Sequence, residues 1–378
     1  MQRAPAGKCI LRVALQASCP VTRVDNPPSG NLTFRNMPKD AENNRWQSVT
    51  DLIEDELRQV EETVRIRAET PLVKAMLERI HAIGGKRMRP VLLLLSGKAI
   101  GPIGPKHVTV AAAIELSHCA TLLHDDVIDG AEIRRGQSCS HVLWGSPSAV
   151  LMGDLMFSEA FKLVCDLNEP AVTASLCRAV SSVCEGEILQ WQRSFDAGLS
   201  ESDYLEITSR KTGALCAGAC RAGALLSGAT QAQADACFEF GSVFGTAYQV
   251  ADDYADLFCS NEDTGKTAGR DLEGGRYTLP VLRAMAAGRD AGDNRLRRAL
   301  EERDVDAARR LLLDDCIFRP AAESTMEAAL NLAEKAKISL KILPRSEALS
   351  GMETMADSVG EILTAIGSGT VREGGASR

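Results

Sequence analysis

The chain has 378 residues, enough for one large domain or two ordinary ones with a sizeable core. Hydrophobic residues make up 45% and aromatics only 4%, and the net charge is −8. That balance favours packed helices over sheets and argues against a nucleic-acid binder, since no basic stripe offsets the acids.

Residues 1–45 differ from all that follows. Arg3, Lys8, Arg12, Arg23 and Arg35 face a single acid, Asp25, ahead of Lys39-Asp40, and Pro27-Pro28-Ser29-Gly30 interrupts the segment. It reads as a disordered basic leader; an organelle transit peptide and an upstream start codon, with Met37 as a second start, are the other readings. The expected location is the cytoplasm, or the mitochondrion if the leader is a transit peptide. From 46 to 366 helical periodicity dominates, and 367–378 is expected to be a flexible tail. Leu52, Ile53, Leu57, Val60 and Val64 recur at three- and four-residue steps and predict one amphipathic helix over 49–67. Pro71 opens a second, ended by Gly84-Gly85.

Further helices are predicted over 88–100, 106–128, 146–166, 170–193, 202–209, 211–228, 231–258, 278–288, 295–302, 305–312, 320–341 and 347–365. Strand alternation and hairpin signals are nearly absent, which leaves one all-α domain. No run of about 18 apolar residues reads as a membrane span. Twelve cysteines without a CxxC pair read as small buried hydrophobes rather than as a zinc or disulfide framework.

Two acidic clusters interrupt apolar helical stretches: Asp125-Asp126-Val127-Ile128-Asp129 and Asp252-Asp253-Tyr254-Ala255-Asp256. Positions i and i+4 share a helix face, so Asp125 pairs with Asp129, and Asp252 with Asp256. Each pair is a two-pronged oxygen claw. Acidic clusters on helices are usually solvated, yet Leu122-Leu123, Tyr248, Val250 and Leu257-Phe258 flank these two. Buried unpaired carboxylates cost several kcal/mol, so such neighbours imply a cation or a wet cleft. Hard oxygens suit magnesium, which is usually shared between carboxylates and substrate phosphates.

Cations stand where a diphosphate would need them: Lys86, Arg87 and Arg89 beside Gly84-Gly85, then Arg134-Arg135, Lys211, Lys266, Arg270 and Arg276. Singly each reads as a surface cation; their order around the acidic claws is harder to dismiss.

These residues resemble the trans-prenyltransferases, or polyprenyl synthetases. The resemblance covers about residues 50–345 through GGKRMRP (84–90), LLHDDVIDGAEIRRG (122–136), GDLMFSEAF (153–161), EGEILQ (185–190), KTGAL (211–215), YQVADDYAD (248–256) and GKTAGRD (265–271). It is nearest the bacterial-type enzymes that make octaprenyl to decaprenyl diphosphate for quinone side chains. It implies an isoprenoid synthase bundle around a deep cavity, three magnesium ions and a homodimer. Isopentenyl diphosphate would be joined to an allylic diphosphate such as farnesyl or geranylgeranyl.

Carried over by position, Asp125, Asp129 and Asp252 would hold magnesium, with Asp126 and Asp256 in support. Lys211, Lys266 and Arg134 would hold the allylic diphosphate. Lys86, Arg89, His118 and Arg135 would hold isopentenyl diphosphate, and Thr212 and Gln249 would lie over the reacting carbons. Three features depart from the family pattern: Arg276 stands where lysine is usual, Arg270 adds a cation, and the end of the chain lacks the usual basic cluster.

Product length is read from the residues before Asp125. Thr121, Ser117 and Ala113 recur at four-residue steps with Ala120 beside them, and at roughly 1.5 Å per residue this bare face runs for about 12 Å. Short-chain members carry aromatic residues there, so a long product is expected; close helix packing would equally favour small residues. A shorter-chain synthase and a subunit of a heteromeric prenyltransferase are the alternatives, the second disfavoured by intact acidic clusters. A terpene cyclase is disfavoured by the paucity of aromatics and by Lys86 and Arg89.

Overall fold

Helical periodicity carries the chain almost throughout. The computed structural model describes residues 41–66, 68–83, 85–258 and 269–370, with side chains described from Arg45 to Leu363 except at 82 and 83. Helices α1 (Ala41–Asp51) and α2 (Glu54–Thr63) replace the single helix predicted over 49–67. The break falls at Leu52-Ile53, where Ile53 leaves helical geometry at φ −140° and is fully buried. Helix α1 starts inside the stretch assigned to the leader; residues 1–40 lie outside the described residues.

Next come α3 (Pro71–Ile83), α4 (Met88–Ile100) and α5 (Pro105–Ile128). Val91 to Leu95 are all fully buried, so α4 is apolar on every side and runs through the interior. Pro105 begins α5, and Gly104 N donates to His107 Nδ1 at 3.2 Å, satisfying a donor at the helix entry. A two-stranded hairpin, β1 (Ile133–Arg134) and β2 (Gln137–Ser138), follows where no strand was predicted. Its two-residue turn, Arg135-Gly136, has both residues at positive φ, the geometry that matches strand twist in tight hairpins. Strands of two residues leave no alternation to read.

Helices α6 (Ser140–Trp144), α7 (Ser146–Asp166), α8 (Pro170–Gln192) and α9 (Glu201–Thr208) lead to α10 (Ala214–Leu226) and α11 (Gln231–Phe258). The two helices predicted over 202–209 and 211–228 are one continuous element, because a π-helical turn over Ser209–Gly213 joins α9 to α10. Helix α10 is built almost wholly of small residues and threads between α4 and α11. A Cβ at Gly223 would sit 2.0 Å from Leu93 O, and one at Gly241 would sit 2.5 Å from Cys216 O, so both crossings require backbone against backbone.

The rest is α12 (Arg270–Glu273), α13 (Leu279–Ala291), α14 (Arg295–Glu301), α15 (Val305–Asp314), α16 (Phe318–Glu323), α17 (Thr325–Ser339) and α18 (Glu347–Thr370). Two helices, α16 and α17, replace the one predicted over 320–341, and α18 runs past the expected start of the tail. The fold is all-α apart from the short hairpin. Cys216, Cys220 and Cys237 are buried as expected, whereas Cys165, Cys177, Cys184 and Cys316 face outward. No described helix is long and apolar enough to cross a membrane.

Candidate active site

Helices α5 and α11 carry the two acidic clusters near their C-terminal ends, and the segment after α11 ties them together. Arg276 donates from NH1 to Asp129 Oδ1 at 2.7 Å and from Nε to Asp271 Oδ1 at 2.9 Å. Asp271 N in turn donates to Asp256 Oδ2 at 3.3 Å, and Gly269 N to Asp256 O at 2.9 Å. The chain of contacts therefore runs from the first cluster through Arg276 and Asp271 to the second. Burial opposes the charge on Arg276, but Asp271 and Asp129 outweigh it and hold its pKa above the ordinary value.

Within the first cluster, burial pushes Asp125 up to about 7, and Glu187 and Asp129 add like charge against the pull of Lys211. Lys211 lies against Glu187 and donates to Gln190 Oε1 at 2.7 Å. Burial works against its charge as well, and Asp125 and Glu187 overcome it to keep Lys211 above its ordinary value. Asp126 is buried and accepts from Arg134 Nε at 2.7 Å, which holds that guanidinium beside the cluster.

The second cluster begins with an exposed Asp252, followed by a buried Asp253. Tyr204 OH donates to Asp253 Oδ2 at 2.6 Å, and Gln249 Nε2 donates to Asp253 Oδ1 at 2.7 Å. That fixes the amide of Gln249, whose Oε1 accepts from Thr212 Oγ1 at 2.9 Å. Burial and Asp271 raise Asp253 to about 8 while the two donors pull it down. Lys211 and Thr212 both lie in the π-helical turn, a distortion found often at functional sites. From adjacent positions they reach α8 and α11 respectively.

A second group of cations collects around His118, about two turns before Asp125 on α5. Burial, with Arg89, Arg135, Arg134 and Arg87 nearby, holds His118 well below its ordinary value of 6.5. Arg135, in the hairpin turn at φ 51°, brings NH1 to 3.1 Å from where a Gly85 Cβ would lie. Lys86 is exposed, and Arg89 Nε is buried without a hydrogen-bond partner among the described residues. A desolvated, unused guanidinium donor suits an incoming anion. Tyr248, one turn before Asp252, feels both Asp252 and these arginines, which places α11 alongside the group.

The residues read for chain length, Ala113, Ser117 and Ala120, are fully buried, and Thr121 is half-buried with its hydroxyl on His118 O at 2.7 Å. His124, one turn beyond Ala120, meets α7, since a Cβ at Gly153 would sit 2.3 Å from its Nε2. Lys266, expected beside the allylic diphosphate, lies outside the described residues. No three carboxylate, imidazole or thiol groups among the described residues already converge as a metal cage. The oxygen donors nonetheless suit a hard divalent ion. A groove of about 500 Å³ between α14 and α15 is lined by Arg295, Arg298, Arg310, Glu302 and Asp314, and no acidic-cluster residue lines it.

Residues 70–312 match the model of the polyprenyl synthetase family. The chain belongs to that family. This prenyltransferase is 33% identical over 295 residues to the octaprenyl diphosphate synthase of Escherichia coli, covering 77% of this chain and 91% of the relative. It is 36% identical to a short chain isoprenyl diphosphate synthase of Methanothermobacter thermautotrophicus, over 75% and 88% of the two chains. A polyprenyl synthase from Caulobacter crescentus, solved with calcium and isoprenyl diphosphate, superposes with a TM-score of 0.77 at 35% identity, covering 83% of this chain and 97% of that one.

Sequence reasoning missed four of the prenyltransferase's site-facing groups. Asp253 was passed over because i and i+4 logic selects its neighbours, yet it orients Gln249. Tyr204 supports it from a helix 49 residues away. Glu187 and Gln190 sit in EGEILQ, a motif that was recognised without a role, and both grip Lys211.

Proposed function

We propose that this prenyltransferase is a long-chain trans-polyprenyl diphosphate synthase. It joins isopentenyl diphosphate successively, head to tail, to an allylic diphosphate such as farnesyl or geranylgeranyl diphosphate. The product is octaprenyl to decaprenyl diphosphate, a quinone side-chain precursor. The observation that carries the reading is the bridge from Asp129 through Arg276 and Asp271 to Asp256, with Lys211 set against Asp125.

Asp125, Asp129 and Asp252 would hold magnesium ions, three in the family pattern, with Asp126 and Asp256 backing them. Bound there with the allylic diphosphate, such ions supply neutralisation of the leaving group. Lys211, with Lys266 and Arg134, balances the same anion, and Arg276 holds Asp129 in place. Lys86, Arg89, Arg135 and neutral His118 bind isopentenyl diphosphate about two turns back along α5 from Asp125. The allylic carbon–oxygen bond breaks with its electron pair leaving on diphosphate. The isopentenyl double bond then attacks the cation, and the proton lost afterwards passes to the departed diphosphate. Thr212 and Gln249 present fixed oxygens toward the cation, and burial excludes water that would quench it.

Support for a long tail comes from the bare face of Ala113, Ser117, Ala120 and Thr121, with no aromatic side chain four or five places before Asp125. Val142, Leu143, Val150, Leu151, Ile188 and Trp191 are exposed apolar residues on α6 to α8 and support a homodimer. The test is incubation with magnesium, labelled isopentenyl diphosphate and either allylic primer, followed by sizing of the dephosphorylated products. Octaprenyl or longer alcohols are expected, and Asp125→Ala should abolish turnover. A geranylgeranyl product would place the enzyme with its short-chain relative instead.

A further inference from the structure

Of the three cations in Gly85-Lys86-Arg87-Met88-Arg89, the middle one is the one spent on carboxylates. Arg87 donates from Nε and NH2 to the two oxygens of Glu61 and from NH1 to Glu115 Oε1 at 2.7 Å. Its side chain is 15% exposed and that of Glu115 5%. The ion triad is therefore largely withdrawn from water, where a bidentate guanidinium pairing is strong and breaking one arm is costly. Burial opposes the charge on Arg87, and Glu61 and Glu115 together outweigh it.

The backbone at this residue is unusual as well. Arg87 adopts φ 49°, ψ 32°, the left-handed region that side chains seldom enter, while its carbonyl accepts from Val91 N at 3.0 Å to start α4. A reversal at one residue turns the loop so that residues on either side project differently from Arg87 itself. Glu115 lies one turn before His118 on α5. The triad thus fastens the loop bearing Lys86 and Arg89 to the turn of α5 that carries His118, and Glu61 adds α2 as a second anchor.

We infer that Arg87 is a positioning residue: through Glu61 and Glu115 it sets the placement of Lys86 and Arg89 for the diphosphate of the isopentenyl substrate. The inference rests on the proposed assignment of that substrate to this cation group. Arg87 touches no substrate itself; on the allylic side Lys211 and the second cluster stand on other elements, and the first cluster lies roughly 15 Å further along α5 than Glu115.

The test is steady-state kinetics of Arg87→Ala and Glu115→Gln against each substrate in turn, with Arg89→Ala as the benchmark. Both variants should raise KM for isopentenyl diphosphate by about ten- to a hundredfold while KM for the allylic diphosphate stays within about twofold, as expected when a positioning contact rather than a general support is lost. Glu115→Gln keeps the shape of the site and decides the matter if Arg87→Ala does not fold. A fall in melting temperature with both KM values unchanged, or an equal rise in both, would overturn the inference. An Arg89→Ala enzyme with unaltered KM for isopentenyl diphosphate would overturn the substrate assignment itself, and the inference with it. A normal benchmark effect beside silent Arg87 and Glu115 variants would overturn the inference alone.

Discussion

Substituting Gly275→Ala perturbs the segment that holds Arg276 on Asp129. Gly275 has φ 68°, and a Cβ there would lie 2.5 to 2.6 Å from three atoms of the Phe195 ring. That ring has little room to withdraw. Phe195 is itself at φ 61°, its N–H donates to Gly275 O at 2.7 Å, and the Arg303 guanidinium covers the ring at 4.1 Å. Left-handed backbone costs an alanine about 1–2 kcal/mol, and forcing the overlap adds about 1–3 kcal/mol, for a loss of about 2–5 kcal/mol. Urea denaturation of the wild type and the variant measures it. The decisive comparison is the same substitution made in a Phe195→Ala background, where the overlap is gone and only about 1–2 kcal/mol of backbone cost should remain. Turnover should fall in the single variant, because the adjoining Arg276 shifts relative to Asp129. Equal losses in the two backgrounds would refute the reasoning.

Three other outcomes are expected. Asp253→Asn leaves one acceptor facing two donors, Tyr204 OH and Gln249 Nε2, so the Gln249 amide should rotate and turn its N–H toward the reacting carbons; kcat should drop about a hundredfold with substrate KM values little changed, and an unchanged kcat would count against the oriented oxygen. Ala120→Phe should shorten the product to the farnesyl or geranylgeranyl range, and an unaltered product distribution would dismiss the bare face of α5 as the path of the tail.

Acid should weaken the fold through His107, whose Nδ1 accepts from Gly104 N and whose Nε2 lies 2.9 Å from Ser227 Oγ. Burial depresses its pKa below 6.5, so the unfolded chain binds this proton first as pH falls. The contribution is therefore complete above pH 6.5 and is lost as pH drops through the folded value. His107→Asn should flatten the fall in melting temperature between about pH 6.5 and 5, and an identical slope would contradict this.

The acidic clusters were legible because their chemistry is local: a four-residue step on a helix fixes which carboxylates share a face. The helix start at Pro71 was legible for a similar reason, since proline removes a donor that the first turn does not need. What escaped notice depends on partners distant along the chain. Nothing near Arg87 says that it is spent on Glu61 and Glu115, 26 and 28 residues away, while Lys86 and Arg89 are not. The π-helical turn at Ser209–Gly213 looks like ordinary helix in sequence, because residue type does not distinguish a bulge that packing against α8 and α11 accommodates. The break at Ile53 was hidden by unbroken apolar spacing on both sides.

The central claim is that the two aspartate clusters act together on one diphosphate through divalent ions. Its most direct test is a crystal structure with manganese and an unreactive allylic diphosphate analogue, with the metal located by anomalous scattering. The account predicts metal between Asp125 and Asp129 on α5 and Asp252 on α11, with the analogue's phosphates completing its coordination. Analogue bound elsewhere, with no anomalous signal between the two helices, would contradict it.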